Sequence, residues 1–293
     1  MGSLPQILRY TAFTRDPAAG NPAGVVLDAG DLDAVTMQQI AADVGYSETA
    51  FLSADAAPAG HLAARYFSPL AEVPFCGHAT IASAVALADR DGPGPLVFDT
   101  LAGEVAVDTW YDEAGAVVAA LTSVPPRVEA IADTDLAETL TALGWAAADL
   151  DAALPPRLAY AGAWHPVIAV RSRERLAALD YDFNRLAALM ADRTWTTVQL
   201  VWQASAEVFH VRDPFPPGGV VEDPGTGAAA AAFGGYLRSL GLLPPSGRIT
   251  LLQGEDMGRP STLTVDVPAG DGLPVTVAGH AVSIGQLSDG SAG

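Results

Sequence analysis

The chain has 293 residues, half of them hydrophobic and 17% charged, with a formal net charge of −19. Its length suits one large domain or two ordinary ones. Its charge argues against nucleic acid and membrane surfaces as partners, though not against a small anionic ligand in a local pocket. All 15 basic residues are arginine, which rules out a Schiff-base lysine and a Walker A loop.

In chain order, Leu4 to Phe13 reads as a strand, followed by the turn Asp16 to Pro22 and an apolar strand Ala23 to Leu27. Asp31 or Asp33 can cap a helix that runs to Val44 and ends at Gly45. Thr49–Ser53 and Leu62–Phe67 read as paired strands. A helix runs from Gly77 to about Asp91, and short strands follow near Leu96–Thr100, Glu104–Thr109 and Val117–Leu121. Pro125-Pro126 marks the boundary between an N-terminal lobe (1–124) and a C-terminal lobe (125–276), with 277–287 a candidate to complete the first.

The second lobe opens with a helix near Thr134–Leu143. Strands at Arg157–Tyr160 and Val167–Val170 flank the turn Gly162 to Pro166, and a helix spans Phe183–Arg193. Strands at Thr197–Trp202 and Ala206–Arg212 lead to a helix at Gly225–Leu240. Strands at Arg248–Gln253, Ser261–Val267, Leu273–Ala278 and Ala281–Ile284 finish the chain, and Ser288 to Gly293 read as disordered.

The two lobes share an order of elements. The Pro22 turn recurs at Pro166 and the Gly77 helix start at Gly225, each about 145 residues on, which points to internal duplication. Both long helices are apolar on most sides and rich in small residues, so each is expected to be buried inside a wrapping sheet. The expected fold is therefore α+β. It has two pseudo-symmetric lobes, each a barrel-like, mostly antiparallel sheet around a central helix, with both helix N-termini facing one cleft.

Those two helix starts carry the candidate chemistry. Glycine lets a ligand approach the backbone, and free N–H groups of a first helical turn attract an anion. Each start is flanked by ionisable residues: Glu72 and His78 at one, Glu222 and Asp223 at the other. Together they suit a carboxylate-bearing small molecule. Gly225 to Ala230 also fits a dinucleotide fingerprint, but the alternating parallel strands and helices that such a site needs are missing. Glu48, leading into an apolar strand, is either a proton shuttle or a solvated strand-edge carboxylate. Cys76, the single cysteine, is either a nucleophile or buried filler, and permits neither an internal disulfide nor a thiolate metal cluster. His61, His165, His210 and His280 show no metal-ligand spacing, and no metal is expected. No charged and apolar leader and no run of ~18 apolar residues occurs, so the expected location is cytoplasmic.

The motifs taken together resemble the phenazine-biosynthesis isomerase (PhzF-like) family of the diaminopimelate-epimerase-like fold. Residues carrying the resemblance are Gly20 to Gly24, Ser47-Glu48-Thr49-Ala50-Phe51, Arg65 to Pro69, Glu72 to Thr80, and Asp223-Pro224-Gly225-Thr226-Gly227. The resemblance implies a cofactor-free isomerase, commonly a homodimer, acting on a small anionic metabolite. It implies Glu48 as the proton-shuttling carboxylate, with His78 and Asp223 as its catalytic companions. It implies substrate-binding positions at Ser47, Cys76, Gly77, Ala79, Gly225, Thr226, Gly227 and Ala228. Many members carry serine where this chain has Ala228, which puts the phenazine precursor itself in question. Related amino-acid epimerases use two cysteines. Cys76 matches the first, and Pro224 is read as standing in the place of the second, which turns the expected chemistry toward Glu48. Two alternatives stay open: an epimerase pairing Cys76 with a non-cysteine base, and a non-catalytic binding protein on the same scaffold.

Overall fold

The structure is a computed structural model that describes residues 5–54 and 61–285. Leu4, the end of segment 277–287 and the tail Ser288 to Gly293 lie outside the described residues. The first elements in chain order are β1 (Leu8–Ala12), β2 (Asn21–Val26), α1 (Ala34–Val44), β3 (Thr49–Ser53), β4 (Leu62–Phe67), β5 (Glu72–Val73), α2 (Gly77–Asp91), β6 (Pro95–Thr100), β7 (Gly103–Tyr111) and β8 (Val117–Thr122). Next come β9 (Arg127–Ala130), α3 (Asp133–Leu143), β10 (Arg157–Tyr160), β11 (Trp164–Ala169), α4 (Arg173–Ala177), α5 (Phe183–Arg193), β12 (Gln199–Gln203), β13 (Val208–Pro214) and β14 (Glu222–Asp223). The chain ends with α6 (Gly227–Ser239), β15 (Arg248–Gln253), β16 (Ser261–Asp266) and β17 (Thr276–Ser283). These elements fall into two compact units, one of residues up to Leu121 and from Ala278 on, the other of Thr122–Val277.

In the first unit eight strands close on themselves in the order β1, β2, β3, β4, β6, β7, β8, β17. The pairings β2–β3 and β4–β6 are parallel, and the others with a determined register are antiparallel. Closure removes the exposed edges that an open sheet would present. Helix α2 is buried at every position from His78 to Ala88 and packs on β1, β2, β3 and β7, so the barrel encloses it. Its alanines and Ser83 let the strands come close. Helix α1 is instead amphipathic. Asp33 Oδ1 accepts from Thr36 N at 2.8 Å, Gly45 ends the helix in the left-handed conformation, and Met37, Ile40 and Ala41 pack on Val26, Phe51 and Phe67.

In the second unit seven strands pair in the order β9, β10, β11, β12, β13, β15, β16, with β14 beside the end of β13. Alternation along the strands divides their side chains between two faces. Ile168, Val170, Val198 and Leu200 meet Leu140, Leu143, Leu186 and Met190 of α3 and α5. The opposite face holds α6, whose Phe233 ring sits 5.0 Å from that of Phe209. α6 is buried at every position from Ala229 to Leu237.

Several expected boundaries are corrected. The region read as the turn Gly162 to Pro166 is already strand from Trp164, because Pro166 lies just before the first pairing with β12, Val167↔Gln199, where its missing N–H does little harm. The expected strands Leu273–Ala278 and Ala281–Ile284 are one continuous strand, β17. The helix placed at Gly225 begins at Gly227, since Gln253 Oε1 holds the Thr226 N–H at 3.0 Å with Thr226 still extended. Strand β9 and helix α4 have no counterpart in the sequence expectation.

Candidate active site

In the first unit the site is built on the N-terminal turn of α2. Strand β5 pairs with β4, and the Arg65 guanidinium grips Glu72 through Nε at 2.7 Å and Nη2 at 2.8 Å. That ion pair holds the Glu72 carboxyl below its ordinary range and pins the chain just before the turn. Cys76 is extended at the N-cap of α2, and its thiol does not cap the helix. The helical ladder starts at Thr80 N, which donates to Cys76 O at 3.0 Å. The N–H groups of Gly77, His78 and Ala79 are therefore not consumed by the helix. Ala79 is fully buried, so only its backbone can face a ligand.

His78 is the centre of this half. Its Nε2 lies 3.5 Å from Glu48 Oε2 and 3.4 Å from Ser47 Oγ. Its Nδ1 lies 3.3 Å from Cys76 Sγ. Ser47 and Glu48 sit between the Gly45 cap of α1 and β3, and Gly24 N fixes them by donating to Glu48 O at 3.1 Å. The Glu48 side chain is 12% exposed and that of His78 6%. A carboxylate and an imidazole nearly out of water and within reach of each other can pass a proton to and from a bound molecule. The donors of Glu48, Cys76 and His78 also lie close enough together to hold a metal ion, as do those of His61, Asp99 and Glu104.

The N-terminal turn of α6 repeats this plan within the second unit. Arg212 grips Glu222 as Arg65 grips Glu72, with Nε at 2.8 Å and a second, shorter contact from Nη2. Glu72 and Glu222 thus flank the helix starts as expected, with both carboxylates engaged in anchoring the strand that feeds the turn. Asp223 Oδ2 accepts from Thr226 Oγ1 at 2.6 Å. Gln253 Nε2 donates to Asp223 O at 2.7 Å and lies 2.9 Å from Thr226 Oγ1. The N–H groups of Gly227, Ala228 and Ala229 are not consumed by the helix, whose ladder starts at Ala230 N. Ala228 is partly exposed, whereas Gly225 and Gly227 are buried.

Matching the starts of α2 and α6 residue by residue corrects the reading of the missing cysteine. Each has a two-residue strand beginning with the anchored glutamate, then proline, two residues and the first helical glycine. Gly77 therefore corresponds to Gly227, and Cys76 to Thr226 rather than to Pro224. Thr226 brings a hydroxyl where Cys76 brings a thiol, and that hydroxyl is engaged by Asp223. The structure thus groups Glu48, Ser47, Cys76, Gly77, His78 and Ala79 at one helix end and Asp223, Gly225, Thr226, Gly227 and Ala228 at the other. Gln253, Arg65 and Arg212, which support these groups, escaped the sequence reading. Gln253 comes from a strand 30 residues from Asp223, whereas Arg65 and Arg212 lie only 7 and 10 residues before their glutamates and were a usable signal.

The fold is shared with solved structures of much lower sequence identity. A probable proline racemase from Agrobacterium radiobacter superposes with a TM-score of 0.66 at 13% identity, covering 94% of this chain and 90% of that one. The family model for phenazine biosynthesis-like proteins matches residues 10–286, and the chain belongs to that PhzF-like family of isomerases. A PhzF-family phenazine biosynthesis protein from Bacillus anthracis is similar in structure, with a TM-score of 0.85 and 26% identity over 95% of this chain and 96% of that one. Among relatives by sequence, an uncharacterized isomerase of Deinococcus radiodurans is 34% identical over 90% of this chain and 87% of its own length. The trans-2,3-dihydro-3-hydroxyanthranilate isomerase of Pseudomonas chlororaphis is 32% identical over 94% of this chain and 95% of its own length. No helix among the described residues is long and apolar enough to cross a membrane.

Proposed function

We propose that the protein is a cofactor-independent isomerase that moves a carbon-bound proton within a small carboxylated metabolite, with Glu48 as the proton shuttle. The observation that carries this reading is the near-buried Glu48–His78 pair at a helix start whose first-turn N–H groups remain for an anion. Glu48 removes the proton from carbon and returns it elsewhere on the same molecule. His78 Nε2 and Ser47 Oγ hold the shuttle in position. The first-turn N–H groups of α2 take the negative charge that builds up as the proton leaves. Asp223, oriented by Thr226, is the acid–base group of the second unit, with the α6 N–H groups as its anion donors. The relative's substrate name denotes an amino-bearing ring carboxylate, which agrees with this chemistry.

The test uses that compound, trans-2,3-dihydro-3-hydroxyanthranilate, in deuterated water. The wild-type protein is expected to incorporate solvent deuterium into product, and Glu48→Gln is expected to lose roughly 10²–10⁴-fold in rate. Full incorporation by the Gln variant refutes the mechanism. A second reading is favoured by the 3.3 Å approach of Cys76 Sγ to His78 Nδ1: an epimerase in which a thiol–imidazole pair moves the proton. Unchanged turnover in Cys76→Ala eliminates it.

A further inference from the structure

The inward face of the second unit carries a group of buried polar side chains that the proposed reaction leaves unused. Asp213 lies on β13 two residues after Val211 and four after Phe209, so it shares the face on which Phe209 meets Phe233 of α6. It stands directly opposite Asp223, and Gln199 stands opposite it on the other side, one step beyond the pair Leu200↔Arg212. Thr197 Oγ1 donates to Asp213 Oδ1 at 2.8 Å, and His165 Nδ1 lies 2.9 Å from the same hydroxyl. With the hydroxyl hydrogen given to Asp213, His165 donates through Nδ1. Asp213, Gln199 and His165 are all 0% exposed. Yet Asp213 Oδ2, His165 Nε2 and both amide atoms of Gln199 have no hydrogen-bond partner among the described residues.

The first unit shows what is missing. Tyr66 stands opposite Val73 as Asp213 stands opposite Asp223, and its hydroxyl is 2.7 Å from Thr80 Oγ1 on α2. The residue of α6 that corresponds to Thr80 is Ala230, which offers Asp213 no hydroxyl. Nor does any described residue give Asp213 a cation. Arg212, its neighbour in the chain, turns to the opposite face, where Glu222 and the carbonyl groups of Leu176 and Ala177 engage it. Glu222 is thereby paired with Arg212 on that far face. Glu255, next along from Gln253, is held by His210 Nδ1 at 2.5 Å and by Arg173 at 3.6 Å. The stretch of α6 from Gly227 to Phe233 contains no titratable residue, and Gln199 and Gln253 are neutral. Among the described residues, the titratable groups that bear on Asp213 are thus Asp223 and His165 on its own face and Glu222 across the strand.

We propose that Asp213 and Asp223 hold one proton between them in the resting protein, on Asp213, and that Asp213 is thereby a positioning residue that leaves the pair's single negative charge on Asp223. Two carboxylates on adjacent strands of a dry sheet face cannot both carry charge. Asp223 has the better claim to the charge, since Thr226 Oγ1 donates to it at 2.6 Å. Burial, together with the negative charges of Asp223 and Glu222, pushes the Asp213 carboxyl well above its ordinary range. Burial also holds His165 down to about 4, so the ring is neutral and adds no positive charge. The proton sits on Oδ2, because Oδ1 accepts from Thr197. The pair stands apart from the reaction, while its catalytic consequence rests on Asp223 acting as proposed above.

The experiment is carbon NMR of the full chain labelled at the aspartate carboxyl carbons, without substrate. The wild-type protein is expected to show one protonated aspartate carboxyl at neutral pH. That signal is absent from Asp213→Asn and present in Asp223→Asn, where it titrates at lower pH because its neighbour's charge is gone. In Thr197→Val, the near-isosteric loss of one donor moves its titration to higher pH. If the aspartate variants fail to fold, the wild-type and Thr197→Val titrations decide the matter alone. A wild-type spectrum with no protonated carboxyl at neutral pH overturns the pair, as does a signal lost in Asp223→Asn and kept in Asp213→Asn. For the catalytic consequence, Asp213 ionising at alkaline pH sets a second negative charge beside Asp223, so Asp213→Asn is expected to leave the acid limb of the deuterium-exchange pH profile in place and remove the alkaline limb. An unchanged profile with the expected spectra leaves the proton pair standing and overturns the positioning role.

Discussion

Replacing Thr80 with valine keeps the side chain's shape and removes one hydroxyl from the base of the α2 N-terminal turn. That hydroxyl donates to Cys76 O at 2.7 Å, so its oxygen accepts from Tyr66, also at 2.7 Å. After substitution Cys76 O still receives Thr80 N at 3.0 Å. The loss therefore falls on Tyr66, which is 0% exposed and keeps an O–H with no partner. Leaving a buried donor unsatisfied costs about 1–3 kcal/mol. Tyr66→Phe removes that donor outright and leaves the Thr80–Cys76 bond, which sets its cost at about 0.5–1.5 kcal/mol. The double variant leaves no orphan, so it should cost less than the two single losses added, with a coupling of about 1 kcal/mol. Urea unfolding of the four proteins, followed by fluorescence and far-ultraviolet circular dichroism, measures the cycle. Strict additivity, or a Thr80→Val variant more stable than Tyr66→Phe, would refute the assigned donor directions.

Two further predictions concern the second unit. Glu222→Gln leaves the Arg212 charge unbalanced in a place where the two side chains are only 9% and 6% exposed, and should destabilise by roughly 3–5 kcal/mol. The apolar pair Arg212→Met/Glu222→Leu should lose far less, and thermal melts of both variants provide the check. His165 is held neutral, down to about 4, by burial. Its folded value lies below its unfolded one near 6.5, so the stability it permits is present above that pH and is lost as pH falls toward 4. The total is roughly 3 kcal/mol. Melts of His165→Asn between pH 8 and pH 4 should show a shallower acid slope than wild type, and an identical slope would show that the ring titrates normally.

Local signals made much of this architecture legible. Asp33 and Gly45 bracket α1 as a capped, amphipathic helix should be bracketed, and the small-residue runs of α2 and α6 read as enclosed helices. What escaped depended on partners far away in the chain. Gly279 looks like a break between two strands, yet a Cβ there would lie 2.5 Å from Phe13 Cδ1, so the glycine admits a ring rather than a turn. Strand β9 is four residues beside a Pro-Pro pair, three of them partly or largely exposed and polar or small, and only its pairing with β10 makes it a strand. At the site, Glu48, Cys76, His78 and Asp223 sit in compact motifs and were readable. Asp213 precedes a proline and resembles the start of a loop. Its place as the next inward position after Phe209 and Val211 becomes visible only once β13 is known to continue through it.

The strand that closes the first barrel, β17, begins only at the very end of the second unit in the chain. A ribosome therefore emits β1 through β8 and must then make residues 122–277 before the closing strand is complete. At about 5–20 residues per second that interval is roughly 8–30 s. Throughout it, β1 and β8 each lack their closing partner and offer unpaired backbone to any neighbouring chain. Translation speed through the second unit is thus a determinant of yield, and a fragment ending at Leu121 would carry that open seam permanently.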